Sequence, residues 1–415
     1  MGAFSRALAA HRNAEGGRRW LFVPYDQLTD ELGPLSREDP RTLGIVLIEC
    51  PGKAARRPYH KQKLALVLAN LRHFAIEQAS RGVAVRHVVA PSYVAGLEGL
   101  ADELGVLRVM RPAERELRVE LAPLVARGAL VEIPNEAWLT TPEDLAGPGP
   151  WRMDVFYRAV RRRLGILMKG GKPLGGKLSF DAENRRAWPG DPPAPAPLSY
   201  EVDAITAEVC ELVETRLGHH PGALRPAAIP ATKADAARAW AWAKEQCLPQ
   251  FGPFEDAMST RSRTLFHTCI SPLLNLGRLR PAVVVSDVEA LDVPLASKEG
   301  FIRQVLGWRE FVHHVHEATD GFRRVRGVTQ PTATRPGRGG FDTWSEVAWP
   351  AANGGDGGSL LSVLGANRPV PPAFWGAPSG LRCLDEVVSA VWEEGYSHHI
   401  TRLMVLSNLA ALLDV

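Results

Sequence analysis

Between residues 20 and 133 the chain alternates short, uniformly apolar runs with longer segments of helical period, and this alternation restricts the fold more than any other feature. Residues 20–23, 43–50, 83–89, 105–110 and 129–133 are brief apolar stretches bounded by Pro, Gly or Asp, the pattern of strands buried on both faces of a parallel sheet. Between them Leu64, Leu68, Leu71 and Ala75 recur at helical spacing within 61–78, and 94–104 and 117–127 read as further helices. The alternation predicts an open α/β sheet with helices on both faces.

From Trp151 the character changes. Residues 153–168 read as a basic helix carrying Arg158, Arg161, Arg162 and Arg163, and it runs into a lysine- and glycine-rich stretch from Lys169 to Lys177. No Gly-Lys-Ser or Gly-Lys-Thr follows and the stretch comes after a helix, so it reads as a solvated turn between domains, not as a phosphate-binding loop. Residues 189–199 are too proline-rich for helix or strand and form an extended linker. Beyond about residue 200 the patterns are mostly helical, over 201–217, 232–248, 298–317 and 382–394, with one strand-like run at 282–285. Residues 321–373 hold repeated Gly and Pro with Trp344 and Trp349 and no sustained period, a long irregular insertion. The expected organisation is a Rossmann-like α/β domain over 1–135, a connector over 136–235 and an all-helical domain over 236–415.

A chain of 415 residues with 45% hydrophobic content exceeds what one core usually supports, in agreement with two domains. Its net charge of +3 accommodates a polyanion partner only where positive side chains cluster, and Arg161, Arg162, Arg163, Arg278, Arg280, Arg323, Arg324 and Arg326 are the candidates. The five cysteines, at 50, 210, 247, 269 and 383, form no CxxC pair, which excludes a disulfide framework and a self-contained zinc site and indicates a reducing compartment. With no run of about eighteen apolar residues and no signal-like start, the expectation is a monomeric cytoplasmic protein without membrane contact.

Three motifs carry chemistry. Residues 265–281 include a Ser271-Pro272 helix start, whose free amides and hydroxyls suit either a diphosphate or an ordinary N-cap. Residues 300–311 place Trp308, Arg309 and Glu310 consecutively on a helix otherwise apolar on one side, as core scaffolding or as a seat for a flat aromatic ligand. His398 and His399 are adjacent, so they point about 100° apart on a helix and cannot share a metal. On these residues alone they read either as two satisfied histidines beside a helix start or as one general acid turned to a pocket while the other packs. The spacing of His313, His314 and His316 fits a solvated face.

Taken in order, several runs resemble the iron-sulfur bacterial cryptochromes and photolyases, the deoxyribodipyrimidine photolyase-related group that includes prokaryotic (6-4) photolyases. They are Tyr25-Asp26-Gln27-Leu28, His60-Lys61-Gln62-Lys63-Leu64, Phe156-Tyr157, the stretch from Pro173 to Arg185, Ser271-Pro272-Leu273-Leu274-Asn275-Leu276-Gly277, Gly307-Trp308-Arg309-Glu310-Phe311, and Gly395-Tyr396-Ser397-His398-His399-Ile400-Thr401-Arg402. The resemblance implies a Rossmann-like antenna domain followed by an all-α domain that holds FAD, and light-driven electron transfer from reduced flavin to a pyrimidine dimer in UV-damaged DNA. It implies that His267, Thr268, Ser271, Asn275, Gln304, Arg309 and Arg402 bind the flavin or line the lesion pocket. His399 becomes the proton donor, His398 its positioning neighbour, and Trp308 a residue for electron transfer or base stacking. Asp26, Gln27, Glu49, His60 and Lys63 resemble the edge of a site for a lumazine-type antenna chromophore. Cys383 matches the first of four ligands of the family's four-iron four-sulfur cluster. The sequence given stops at Val415, before the segment that carries the other three ligands in the family, so this chain is expected not to hold the cluster. The insertion at 321–373 is longer than the family pattern. Repair, blue-light sensing without repair, and an inactive truncated remnant stand as the functional readings.

Overall fold

The structure, a computed structural model, describes residues 2–324 apart from 146, 148 and 149, together with 366 and 368–415. Most of the 321–373 insertion, with Trp344, Trp349 and Arg326, lies outside the described residues.

Five strands form one sheet: β1 (Arg19–Phe22), β2 (Leu43–Glu49), β3 (Ala84–Val89), β4 (Leu107–Met110) and β5 (Leu130–Ile133). Their order is β3-β2-β1-β4-β5 and every pairing is parallel, with Arg19 opposite Leu43, Leu21 opposite Arg108, Gly44 opposite Ala84 and Leu107 opposite Leu130. The period of two distributes the apolar side chains. Leu21, Leu43, Ile45 and Leu47 pack with Leu71 and Phe74 of helix Lys61–Ser80 on one face. Trp20, Phe22, Val46 and Ile48 pack on the other, with Leu97 of helix Tyr93–Leu104 and Leu117 and Leu121 of helix Arg115–Ala126. Gly44 is required by that packing, since a Cβ there would lie 2.5 Å from the Trp20 indole. A helix the sequence did not suggest, Ala3–Ala10, lays Phe4 against the Leu71 face.

The second core is helical. Phe156, Tyr157 and Val160 of helix Met153–Leu164 meet Trp240, Leu248, Phe251, Val284, Val285, Val288, Phe301, Ile302, Val305 and Leu306. Each such fully buried large apolar side chain contributes about 1.5–3 kcal/mol relative to exposure. Two expectations are corrected here. Residues 282–285 are not a strand but part of helix Pro281–Ala290, started by Pro281 and burying Val284, Val285 and Val288 on one face. The basic helix ends at Leu164, not 168, because Gly165 takes the left-handed conformation (φ 74°) as its C-cap. The glycine-rich stretch that follows turns back as a two-stranded hairpin, Met168–Lys169 against Lys172–Pro173.

Arg161 is fully buried and donates to the carbonyls of Ile166, Leu167 and Leu178, which makes it a structural clamp and removes it from any polyanion surface. Arg278 is likewise buried, with Nε on Asn70 Oδ1 at 2.8 Å and Nη1 on Glu77 at 2.6 Å, and it fastens the helical region to helix Lys61–Ser80. Arg280 pairs with Glu31, Arg163 with Asp144 and Arg323 with Glu116. The adjoining main chains also join, Leu28 N donating to Leu276 O at 2.8 Å.

Glu49 closes the carboxyl end of β2 inside a buried network. Arg72 donates to both its oxygens (2.6 and 3.1 Å), His87 Nε2 lies at 3.0 Å, and Arg72 also reaches Glu208 of helix Ala204–Arg216 at 2.8 Å. Burial pushes the Glu49 carboxyl up, but the bonds from His87 and Arg72 more than reverse it and hold the carboxyl at about 2. A carboxyl depressed on folding stabilises the native state above its ordinary value of 4.5, and that contribution disappears as the pH falls towards 2. Glu49→Gln should therefore flatten the acid limb of urea-unfolding stability between these values. Arg72→Ala, which strands two carboxylates, should cost about 3–5 kcal/mol at neutral pH in the same measurement.

Candidate functional site

In the loop that carries His267, Leu265 (φ 46°) and Cys269 (φ 55°) are non-glycine residues in the left-handed region, a conformation that costs about 1–3 kcal/mol per residue and persists only when the surroundings impose it. Here they do. Leu265 N donates to Ser262 Oγ at 2.9 Å, His267 N to Thr264 O at 2.9 Å, and the thiols of Cys247 and Cys269 both reach His267 O, at 3.7 and 3.4 Å. The imidazole is thereby driven inward. It stacks on His398 with ring centroids 4.3 Å apart and planes 13° apart, and His399 stands edge-on at 5.3 Å.

The two adjacent histidines part as their spacing requires. His398 ends the extended turn after Gly395 and is 3% exposed, whereas His399 begins a helical turn and keeps its side chain 31% exposed, with Nε2 3.7 Å from Asp256 Oδ1. Burial, then the charges of His399 and Arg402, lower His398 to about 4. Burial, then its two histidine neighbours, holds His267 well below the ordinary imidazole value. His267 Nε2 and His398 Nδ1 are buried without a hydrogen-bond partner among the described residues.

Beneath this group sits a carboxylate that the sequence did not single out. Glu255, 2% exposed, accepts from Asn184 Nδ2 (2.5 Å), Gln304 Nε2 (2.5 Å) and Arg303 Nη2 (3.2 Å), and its main chain works against the lowering of the His267 pKa. Arg303 also binds Asp181 at 2.5 Å and Glu299 at 3.4 Å. Gly300 permits the approach, since a Cβ there would meet Glu255 Oε2 at 2.5 Å. Burial pushes the Glu255 carboxyl up, against the pull of Arg303 and Asn184. The only sequence signal for it is an apolar run, Phe251 to Phe254, that ends in two consecutive carboxylates. Arg303 and Gln304 open a stretch of wide, i to i+5 turns over Arg303–Arg309, and a second such stretch, Arg402–Ser407, follows the histidine pair. Such turns are rare and concentrate at functional sites.

The other expected residues lie elsewhere. Arg402 is exposed and acts on His398 through its charge; Thr268 is buried beside His267; Ser271 is exposed at the start of a five-residue helix, Ser271–Asn275. Asn275 and Arg309 join Asp26 and Gln27 in a cleft between the sheet and the helical region, lined also by Trp138. That cleft opens where the strand order reverses, beyond the carboxyl ends of β1 and β4, the usual ligand crevice of an open α/β sheet. Arg309 lies 4.0 Å above the Trp138 ring and pairs with Glu310 at 2.8 Å; burial lowers its pKa. Next to the cleft, Lys53 pairs with Glu114, Tyr25 OH donates to Glu114 at 3.0 Å, and burial plus the Glu114 charge raise Asp26 to about 6. Gln27 donates to Met110 O at 2.8 Å, and Lys63 stands over Tyr59. Glu49 is committed to Arg72 and His87, while His60 faces Trp392, so the structure brings neither to the Asp26 crevice. Trp308 is 46% exposed, edge-on to Phe311. His313 and His314 are no solvated face: His313 stacks on Trp138 at 3.6 Å and His314 is buried against Thr140.

Cys383 is exposed at the start of helix Arg382–Glu394, and among the described residues no three His, Cys, Asp or Glu side chains converge as metal ligands. The residues present do not fit a four-thiolate iron-sulfur cluster. For the histidines a direct check exists: in a proton NMR titration His398 should protonate near pH 4. Since the unfolded ring takes its proton at 6.5, acidification between these values should destabilise the native fold.

A family model described as deoxyribodipyrimidine photo-lyase-related protein matches residues 21–228. A (6-4) photolyase of Agrobacterium fabrum (strain C58) is 29% identical over 413 residues, covering 95% of this chain and 75% of that protein. The crystal structure of a bacterial class III photolyase from Agrobacterium tumefaciens superposes with a TM-score of 0.55 at 15% identity, over 96% of this chain and 73% of that one. The parallel five-stranded sheet followed by a helical region is thus the photolyase fold, and the chain belongs to the deoxyribodipyrimidine photolyase-related family.

Proposed function

We propose that this protein is a light-dependent, FAD-containing DNA repair protein of the (6-4) type, with His399 as proton donor. The observation that carries the reading is the division of labour among the three histidines. His267 and His398 are buried and kept neutral, and His399 alone combines exposure with a carboxylate neighbour, Asp256. The distant (6-4) photolyase relative supports the same reading.

Polar atoms of His267 and His398 that are buried without partners among the described residues fit the edge of a polar cofactor, and with Thr268, Gln304 and Arg402 they are the residues that would hold FAD here. Reduced flavin, when bound, supplies on illumination the electron that weakens the bond between the two pyrimidines. The rest falls to the chain. His399 Nε2, 3.7 Å from Asp256 Oδ1, delivers a proton to the hydroxyl oxygen that must move between the bases. His398, stacked on His267, fixes the direction of its neighbour. The switch-point crevice, with Asp26, Gln27 and the lysines Lys53 and Lys63 nearby, is our seat for a lumazine-type antenna chromophore. UV-damaged DNA is the partner. No helix among the described residues is long and apolar enough to cross a membrane.

The protein should take up FAD and, under blue light, repair an oligonucleotide carrying a single (6-4) lesion. His399→Ala should keep the flavin spectrum and lose repair by about a hundredfold or more. Flavin uptake without repair would mark a photosensor instead, and repair that survives His399→Ala would remove the proton-donor assignment.

A further inference from the structure

One imidazole far from the histidine cluster in sequence stands at the root of the segment that delivers it. His60 precedes helix Lys61–Ser80 and caps it, Nδ1 accepting from Gln62 N at 3.0 Å. An Nδ1 that accepts leaves the ring proton on Nε2, and Nε2 donates to Trp392 O at 2.8 Å, near the end of helix Arg382–Glu394. The ring is wedged between two glycines from different parts of the chain. A Cβ on Gly222 would fall 1.8 Å from Nε2, and one on Gly395 would fall 2.9 Å from Nδ1. Both glycines have positive φ, 81° and 65°.

One wall of this slot is fixed to the sheet domain, because Lys61 N donates to Pro221 O at 2.8 Å and His220 Nδ1 lies 3.1 Å from Tyr59 O. The other wall, Gly395, is the C-cap of helix Arg382–Glu394 and stands three residues before His398. That helix end is also tied by partly exposed ion pairs of Arg263 with Glu393 and Glu394 and of Arg225 with Glu394, each weak in holding a position, and Trp392 packs against the cluster of Leu384, Val388 and Val405. We propose that His60 is a positioning residue for the His398–His399 pair: bonded to Trp392 O and wedged against Gly395, it sets the height at which the strip leaves its helix. The inference rests on the proposed repair function for its catalytic consequence, but not for its geometry.

Two variants separate the cap from the tie. Asn at position 60 keeps a good N-cap acceptor and is too short for Trp392 O, whereas Gln reaches further and caps poorly. In the full-length protein His60→Asn should lower the single-turnover repair rate at saturating light by about tenfold, since a misplacement of about 1 Å costs up to a hundredfold. DNA affinity and flavin absorption should stay as in the wild type, and His60→Gln should recover part of the rate. Independently of repair, the NMR titration of His398 should move up from about 4 as the ring loosens into water in His60→Asn, and stay put in the exposed control His11→Asn. An unmoved His398 together with an unchanged repair rate overturns the inference. If the wild type repairs nothing, the repair function fails and the titration decides alone: a shift supports the wedge and no shift removes it. If His60→Asn does not fold, His60→Ser, another capping side chain too short for Trp392 O, is titrated in its place, and a shift of His398 supports the wedge while no shift removes it.

Discussion

A carboxylate in a protein interior must find donors, and Glu255 collects them from separated stretches: Asn184 from the connector and Arg303 and Gln304 from the helix at 295–318. Its main chain also acts electrostatically on the ring of His267, on which His398 stacks. The donors from these separate stretches therefore converge on one buried acid. Breaking a buried pair of this kind costs about 3–5 kcal/mol because the surviving partner is stranded. Conserving volume at position 255 would not conserve the site, since an apolar replacement strands Arg303 beside Asp181 and Glu299.

The sheet was legible because its information is local. Five apolar runs and the helical periods between them predict β1 to β5 and their helices within a few residues, for the alternation of Leu21, Leu43, Ile45 and Leu47 against Trp20, Phe22, Val46 and Ile48 is written directly in the chain. The structure departs from the local pattern where tertiary packing overrides propensity. Residues 282–285 are β-branched and apolar, yet Pro281 starts a helix there because the helical core needs Val284, Val285 and Val288 on one face. Arg161 looked like surface charge, and only its three carbonyl partners, all formed by the turn after Gly165 and the 173–185 run, explain its full burial.

The site was half legible. The histidine pair, His267 and Gln304 do converge, and the one-residue spacing correctly sent the two imidazoles apart. Glu255 and Arg303 were not marked, because a carboxylate becomes meaningful only when burial removes its water, and burial is not visible in composition. Asn275 and Arg309 belong with Asp26 and Gln27 at the switch point, away from the histidines, since the topology folds the short helix at 271–275 against the ends of β1 and β4. His60 sits at a seam between chain segments more than 300 residues apart, which no local pattern encodes.

The wide turns over Arg303–Arg309 give one helix two registers. In a regular helix seven residues complete nearly two full turns, so positions 303 and 310 would look the same way. One residue accommodated in a wider coil changes the phase by about 100° without ending the rod. Arg303 and Gln304 thereby address Glu255, while Glu310 turns to the amides of Leu139 and Thr140 at 3.0 and 3.1 Å, in the segment leaving the sheet domain. The same rod thus serves two partners at once, presenting donors to the carboxylate near the histidines at one end and an acceptor to the segment leaving the sheet domain at the other.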